Sequence, residues 1–149
     1  MIGPIPGWLL FLLLASPAPR AEAEAVTVAG VVTELAPALE TLGIRADPEQ
    51  TSRQIVLKTE AGTIEPLIAD EGSRALFRDQ RLRDRRAEIK GKRFPGLPYL
   101  QVVTFRVEEG GRLATPEYDC DICVIRSRYP QPCPCCQGEL ELRFDTEAR

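Results

Sequence analysis

The chain has 149 residues, 44% of them hydrophobic and 28% charged, with 19 basic and 22 acidic side chains and no histidine. A chain of that length buries one modest core and hardly two, and a net charge of −3 offers no global attraction for nucleic acid. Without histidine there is no Ser–His or Cys–His pair and no CxxCH haem attachment, and neither a phosphate-cradling glycine loop nor a nucleophile elbow is present.

The first predicted element is a leader. "GWLLFLLLA" is a run of eight or nine strongly apolar residues, stopped by Pro17 and Pro19 and followed by the small-residue tract "AEAEA". It falls short of the roughly 20 residues that span a bilayer and matches the apolar region of a secretory signal, although its only positive charge is the terminal amine. Residues 1–25 are expected to be a signal peptide, cleaved near Ala21, Ala23 or Ala25. The mature protein is then secreted or periplasmic, with no stable membrane span. Removal of Arg20, Glu22 and Glu24 from the 19 basic and 22 acidic side chains leaves a net charge near −2.

Next, "AVTVAGVVTEL" puts Val26, Val28 and Val32 on one side of a strand bent at Gly30. Residues 36–52 are broken by Pro37, Gly43 and Pro48 and read as a connection with a helical turn or two around Leu39. In "RQIVLKTEAGTIEPLIAD" two apolar runs flank "TEAG". This is a β-hairpin turned at Gly62, with Pro66 marking an edge or a bulge. Ser73 is positioned to cap a short helix carrying Leu76, Phe77 and Leu82. Two strands follow, "AEIKGK" and "YLQVVTFRVEEGG", the second presenting Tyr99, Val103, Phe105 and Val107 on one face and turning at Gly110 and Gly111.

Between Arg74 and Arg93 stand nine basic residues against Asp79, Asp84 and Glu88. The simplest reading is a solvated helix face laced with i to i+3 and i to i+4 ion pairs. The alternative is a ridge that attracts an anionic polymer.

Five strands with a short helix between the third and fourth, "VAGVV" in the first and "AEIKGKRF" before the last, resemble an OB-fold, a small five-stranded Greek-key barrel. The resemblance covers residues 26–109 and implies a mainly β chain: an OB-like barrel over 26–116, then a cysteine-rich ribbon and final strand over 117–149. OB-folds often bind single-stranded nucleic acid through exposed aromatics and a basic groove. Between residues 26 and 109 the only aromatics are Phe77, Phe94, Tyr99 and Phe105, and an exported protein meets little such substrate, so nucleic acid is not an expected partner.

All five cysteines lie in "CDICVIRSRYPQPCPCCQGE". Cys120 and Cys123 form one CxxC pair, Cys133 and Cys136 a second. A tight turn sets sulfurs i and i+3 on one side, suited to two corners of a tetrahedron, and two such turns make a four-cysteine site. "CPCCQG" resembles the CPxCxG knuckle of rubredoxins and zinc ribbons. Pro134 stiffens the turn and Gly138 is expected in the left-handed conformation that aims backbone N–H groups at the thiolates. The alternation of Leu140, Leu142 and Phe144 supplies a supporting strand.

Two rival readings stand beside the metal site. One is a disulfide framework, common outside the cytosol, although five thiols are an odd number. The other is thiol–disulfide exchange, whose CxxC usually opens a helix; here "DCDICVIRSRYP" reads as extended, and Asp119 and Asp121 would raise the thiol pKa. Cys135 is the odd thiol. It should point away from the ion, leaving it buried, reactive or paired with another molecule.

These observations imply an exported, non-enzymatic small domain with a structural metal site at Cys120, Cys123, Cys133 and Cys136. The ion is zinc, with iron as the alternative, because both accept tetrahedral thiolate. The domain then serves as an interaction module of the bacterial envelope with a protein partner, the combination resembling uncharacterised exported bacterial proteins. Alternatives are a rubredoxin-like electron carrier, a thiol redox protein and an OB-type binder of anionic polymer.

Overall fold

The structure is a computed structural model, and it describes residues 22–146. The leader up to residue 21 lies outside the described residues. Among those described, no helix is long and apolar enough to cross a membrane.

Over the described residues the chain is mainly β, with eight strands and a few short helices. The strands are β1 (Glu24–Glu34), β2 (Ile55–Thr59), β3 (Ile64–Pro66), β4 (Arg85–Arg93), β5 (Leu100–Glu109), β6 (Arg112–Cys120), β7 (Ile125–Ser127) and β8 (Glu141–Asp145). Helices α1 (Leu35–Glu40) and α2 (Pro48–Thr51) fill the β1–β2 connection. Helix α3 (Arg74–Arg78) and a 3-10 turn (Gln80–Leu82) lie between β3 and β4. The sheet runs β3-β2-β1-β4-β5-β6-β7, antiparallel throughout, and β8 pairs with β6.

β1 holds the sheet together because its eleven residues serve two partners: Gly30 to Glu34 pair with β2, and Glu24 to Val32 pair with β4. Gly30 is where both partners close in, and a Cβ there would sit 2.3 Å from the Lys58 carbonyl oxygen. The strand starts earlier than the expected boundary at residue 26, since Glu24 and Ala25 already pair with Arg93 and Lys92. At the far side of the sheet, the end of the β3 segment reaches the start of β5. Leu67 and Leu100 form a parallel bridge, and the Ile68 N–H donates to the Leu100 carbonyl at 3.0 Å.

Three local expectations need correction. The face proposed for β5 breaks at Val103. Lys90 pairs with Thr104 but Gly91 with Val102, so Val103 is the extra residue of a β-bulge. The alternation therefore changes phase: Leu100, Val102, Phe105 and Val107 are buried, while Tyr99 and Val103 stay exposed. Ser73 occupies the position before α3 but makes no capping bond; its hydroxyl is fully buried and donates instead to the Ile68 carbonyl at 2.6 Å. A strand also runs over residues 112–120, where none was expected. Its pattern is regular, with Ala114, Pro116, Tyr118 and Cys120 facing inward, but Pro116 and the acids Glu117 and Asp119 hide that period in the sequence.

Tyr118 is the largest fully buried side chain. Its hydroxyl donates to Asp79 Oδ2 at 2.8 Å, and Asp79 also accepts from the Arg81 backbone and guanidinium at 2.7–3.2 Å. Burial works to raise the Asp79 pKa, yet the hydrogen bonds from Arg81 and Tyr118 outweigh it and hold the carboxyl below its ordinary value. β6 is thereby tied to the turn that follows α3. The core is continuous across this tie, running from Val32, Leu57 and Ile89 to Tyr118, Cys120, Cys133 and Leu140.

Candidate metal centre

The centre is built from two turns of the same design. In the first, Cys120 ends β6, the Val124 N–H donates to the Cys120 carbonyl at 2.8 Å, and Ile125 pairs back with Cys120 to open β7. In the second, the Gln137 N–H donates to the Cys133 carbonyl at 2.9 Å and the Cys133 N–H to the Gly138 carbonyl at 2.8 Å. The bridge between Pro132 and Glu139 closes the base of that turn, and β8 follows, pairing with β6 from Thr115 to Asp119. One strand, β6, thus carries the first turn and anchors the second.

Within each turn the residue four places after the first cysteine is left-handed, Val124 at φ 54° and Gln137 at φ 61°. The expectation for Gly138 is therefore corrected: it is not left-handed, and the residue before it takes that conformation. The geometry does what was expected of it. Backbone N–H groups of Cys123 and Ile122 donate to the Cys120 sulfur, and those of Cys136 and Cys135 to the Cys133 sulfur. Superposing the two CxxC runs by spacing would have located these residues in the sequence, since both are the fourth after the leading cysteine.

The turns bring Cys120, Cys123, Cys133 and Cys136 together, with all four sulfurs within 4.8 Å of one another and Cys120 Sγ 3.6 Å from Cys136 Sγ. Four cysteines this close can hold a metal ion. Cys120 and Cys133 are buried, at 5% and 0% exposure, Cys123 is half-buried, and Cys136 is exposed. The site has an inner and an outer side.

The electrostatics of the thiols suit a cation. At Cys133 the N–H donors of Cys136 and Cys135 outweigh burial and bring the thiol down to about 7. At Cys120 the Cys123 N–H pulls the same way, but burial and the thiols of Cys136 and Cys133 overcome it and the net shift is upward. Cys123 is raised strongly, by the Cys135 thiol first and by burial next. One sulfur ionises readily and its neighbours then resist, as like charges in one site must; a cation held among them would remove that conflict.

Asp119 and Asp121, which flank Cys120, are both met by arginines. Arg143 pairs with Asp121 at 2.5 Å, and Arg126 and Arg143 flank Asp119 at 3.6 and 3.9 Å. The Asp119 Oδ1 atom is buried and accepts no hydrogen bond, so the charge of Arg126 compensates it without one. All five cysteines are free thiols. Neither CxxC opens a helix, the placement that would activate an exchange thiol; Cys120 closes a strand instead. Cys135 is exposed, but its thiol does not point away from the cluster, since it meets that of Cys123.

The arginine-rich stretch is not one helix face. It spans α3, the 3-10 turn and β4, and apart from the local pair of Arg81 with Asp79 its acids come from elsewhere in the chain: Arg83 pairs with Glu34 at 2.7 Å, Arg86 with Glu60 at 2.8 Å, Arg93 with Glu65 at 2.5 Å, and Arg85 with Glu109. A groove of about 490 Å³ beside it carries both signs, with Glu88, Lys90, Arg106, Glu117 and Arg128 along its walls. Such surfaces are poorly matched to a polyanion. Comparison with protein-family profiles, with curated proteins and with solved structures finds no match for this chain.

Proposed function

We propose that the chain is an exported, non-enzymatic domain of the bacterial envelope, in which an OB-type barrel is extended by a ribbon clipped with a structural zinc ion and offers its surface to a protein partner. The observation that carries this reading is the convergence of the four sulfurs of Cys120, Cys123, Cys133 and Cys136 within 4.8 Å. Four protein ligands leave no position for substrate or water, which assigns the ion to folding rather than catalysis. The OB-type reading is supported by the pairing of β1 with both β2 and β4, by α3 between β3 and β4, and by the parallel bridge from Leu67 to Leu100. Export rests on the leader, with cleavage at Ala21 or Ala23 the placement that spares β1.

Metal analysis of the mature protein, purified without oxidant, is expected to find one zinc per chain and no visible absorbance; a strongly coloured iron protein would favour the electron-carrier reading instead. Cys120→Ser and Cys133→Ser should each abolish stoichiometric binding, because they remove the two buried ligands that backbone N–H groups orient. A metal-free protein whose cysteines are oxidised in pairs, indifferent to chelators and unfolded by reductant, would overturn the assignment.

A further inference from the structure

The two turns share one design, yet they differ at one position. The residue two places after the leading cysteine is Ile122 in the first turn and Cys135 in the second. Both are exposed, Ile122 at 83%, so each stands at the tip of its turn, outside the packed core. A serine or a glycine would serve there. The second tip instead carries a thiol, next in sequence to Cys136, which is the only exposed member of the four-sulfur cluster.

Cys135 is exposed, as Cys136 is, and its thiol hydrogen-bonds with that of Cys123. The outer side therefore presents three sulfurs, Cys123, Cys135 and Cys136, whereas the inner side is sealed by Cys120 and Cys133. Three corners of a tetrahedron are then assigned to Cys120, Cys123 and Cys133, and two exposed sulfurs on adjacent residues compete for the fourth.

We propose that Cys135 is an exchange ligand: it trades places with Cys136 at the outer corner, so that a thiophilic ion held by the centre can be passed to or accepted from an incoming thiolate. This rests on the four-sulfur reading above. In the exchange the Cys135 sulfur forms a bond to the ion as the Cys136–metal bond breaks; the proton leaves the Cys135 thiol and is taken up by the departing Cys136 thiolate, directly or through water. Charge, proton count and oxidation state are unchanged, and no oxidant is required. An external thiolate, from a small thiol or a protein cysteine, enters by the same step at the same corner. A thiolate centre with a spare sulfur at its open side is held tightly yet exchanges readily, which suits transfer of a soft metal ion better than permanent burial.

The test loads the mature protein with zinc in anaerobic buffer and measures both stoichiometry and the rate of zinc loss to a colorimetric chelator. Cys135→Ser and Cys135→Ile, the latter giving the second turn the residue of the first, should each keep one zinc per chain and release it roughly tenfold more slowly than wild type. Cys136→Ser should retain zinc through Cys135, with affinity lowered by roughly tenfold, while the Cys135→Ser/Cys136→Ser double variant should hold none. Release at the wild-type rate from both Cys135 variants overturns the proposal. So does a Cys135→Ser protein that cannot bind zinc, which would make Cys135 a resident ligand, or a Cys136→Ser protein as empty as Cys133→Ser. Wild type that binds no zinc at all sinks the four-sulfur reading itself and is recognised before any variant is compared.

Discussion

Residues 24–109 and residues 112–145 belong to one continuous core, but they are held by different means. In the first region the side chains sealed from water are aliphatic: Val32, Ile55, Leu57, Leu76, Leu82, Ile89 and Val107 are each at most 1% exposed. In the second, large residues buried to that degree are Tyr118 and Cys133, and the strand pairing includes only three residue pairs between β6 and β7. Hairpins that small are marginal on their own. The difference teaches that the first region has the apolar burial of an ordinary core, whereas the second is short of it, and an ion held by the four converging sulfurs would act there as a staple.

The largest expected effect removes that staple. Structural zinc contributes on the order of 10 kcal/mol of apparent folding free energy, so a strong chelator under reducing conditions should expose the amides of β7, β8 and both turns to hydrogen exchange. Amides of β1, β2 and β4 should keep most of their protection. Loss of protection in both regions together would mean that the metal holds the whole molecule and that the contrast is wrong.

A smaller effect tests the tie between the regions. Tyr118→Phe keeps the ring but leaves Asp79 Oδ2 short of a donor in a buried place, at a cost of about 1–3 kcal/mol. The cost has a definite pH dependence. The Asp79 carboxyl is held below its ordinary value of 3.8 in the folded protein, so its contribution is complete above that value and is lost as pH falls through the lower folded value. The stability gap between wild type and Tyr118→Phe, measured by denaturant unfolding of the metal-loaded protein, should therefore be widest near neutrality and narrow below about pH 4. A gap independent of pH would show that Tyr118 contributes only its apolar ring.

The smallest effect runs in the stabilising direction. Val124 is a β-branched residue at φ 54°, 85% exposed, and the left-handed conformation costs such a residue roughly 1–2 kcal/mol. Glycine escapes the strain but loses up to about 1 kcal/mol through the freedom of its unfolded chain. Val124→Gly should therefore raise the stability of the metal-loaded ribbon by up to about 1 kcal/mol, visible as a modest rise in its melting temperature. Destabilisation would mean that the Val124 side chain makes a contact worth more than the strain.

Much of the centre is legible in the sequence, because the i and i+3 spacing of Cys120 with Cys123 and of Cys133 with Cys136 is a local property of a tight turn. The hairpin at Gly62 is legible for the same reason, its left-handed φ of 83° being a demand made by four consecutive residues. The phase of β5 is not legible, since the bulge at Val103 exists only relative to Lys90 and Gly91 on a neighbouring strand. Nor is β6, whose inward row includes a proline that argues against a strand. The arginines mislead in a related way: a run of like charges looks unbalanced until distant parts of the chain bring Glu34, Glu60, Glu65 and Glu109 to meet it.

The sequence by itself determined that this chain is mainly β, where its sharpest turns lie and which sulfurs can act in pairs, because hydrophobic period, turn chemistry and CxxC spacing are all settled within a few residues. Only the tertiary structure decided that the two pairs converge, that the Cys135 thiol meets that of Cys123, and that Tyr118 reaches Asp79 across 39 positions. Those outcomes depend on strand register, and register is set by partners distant in sequence, where a shift of one residue would carry Tyr118 and Cys120 to the opposite face.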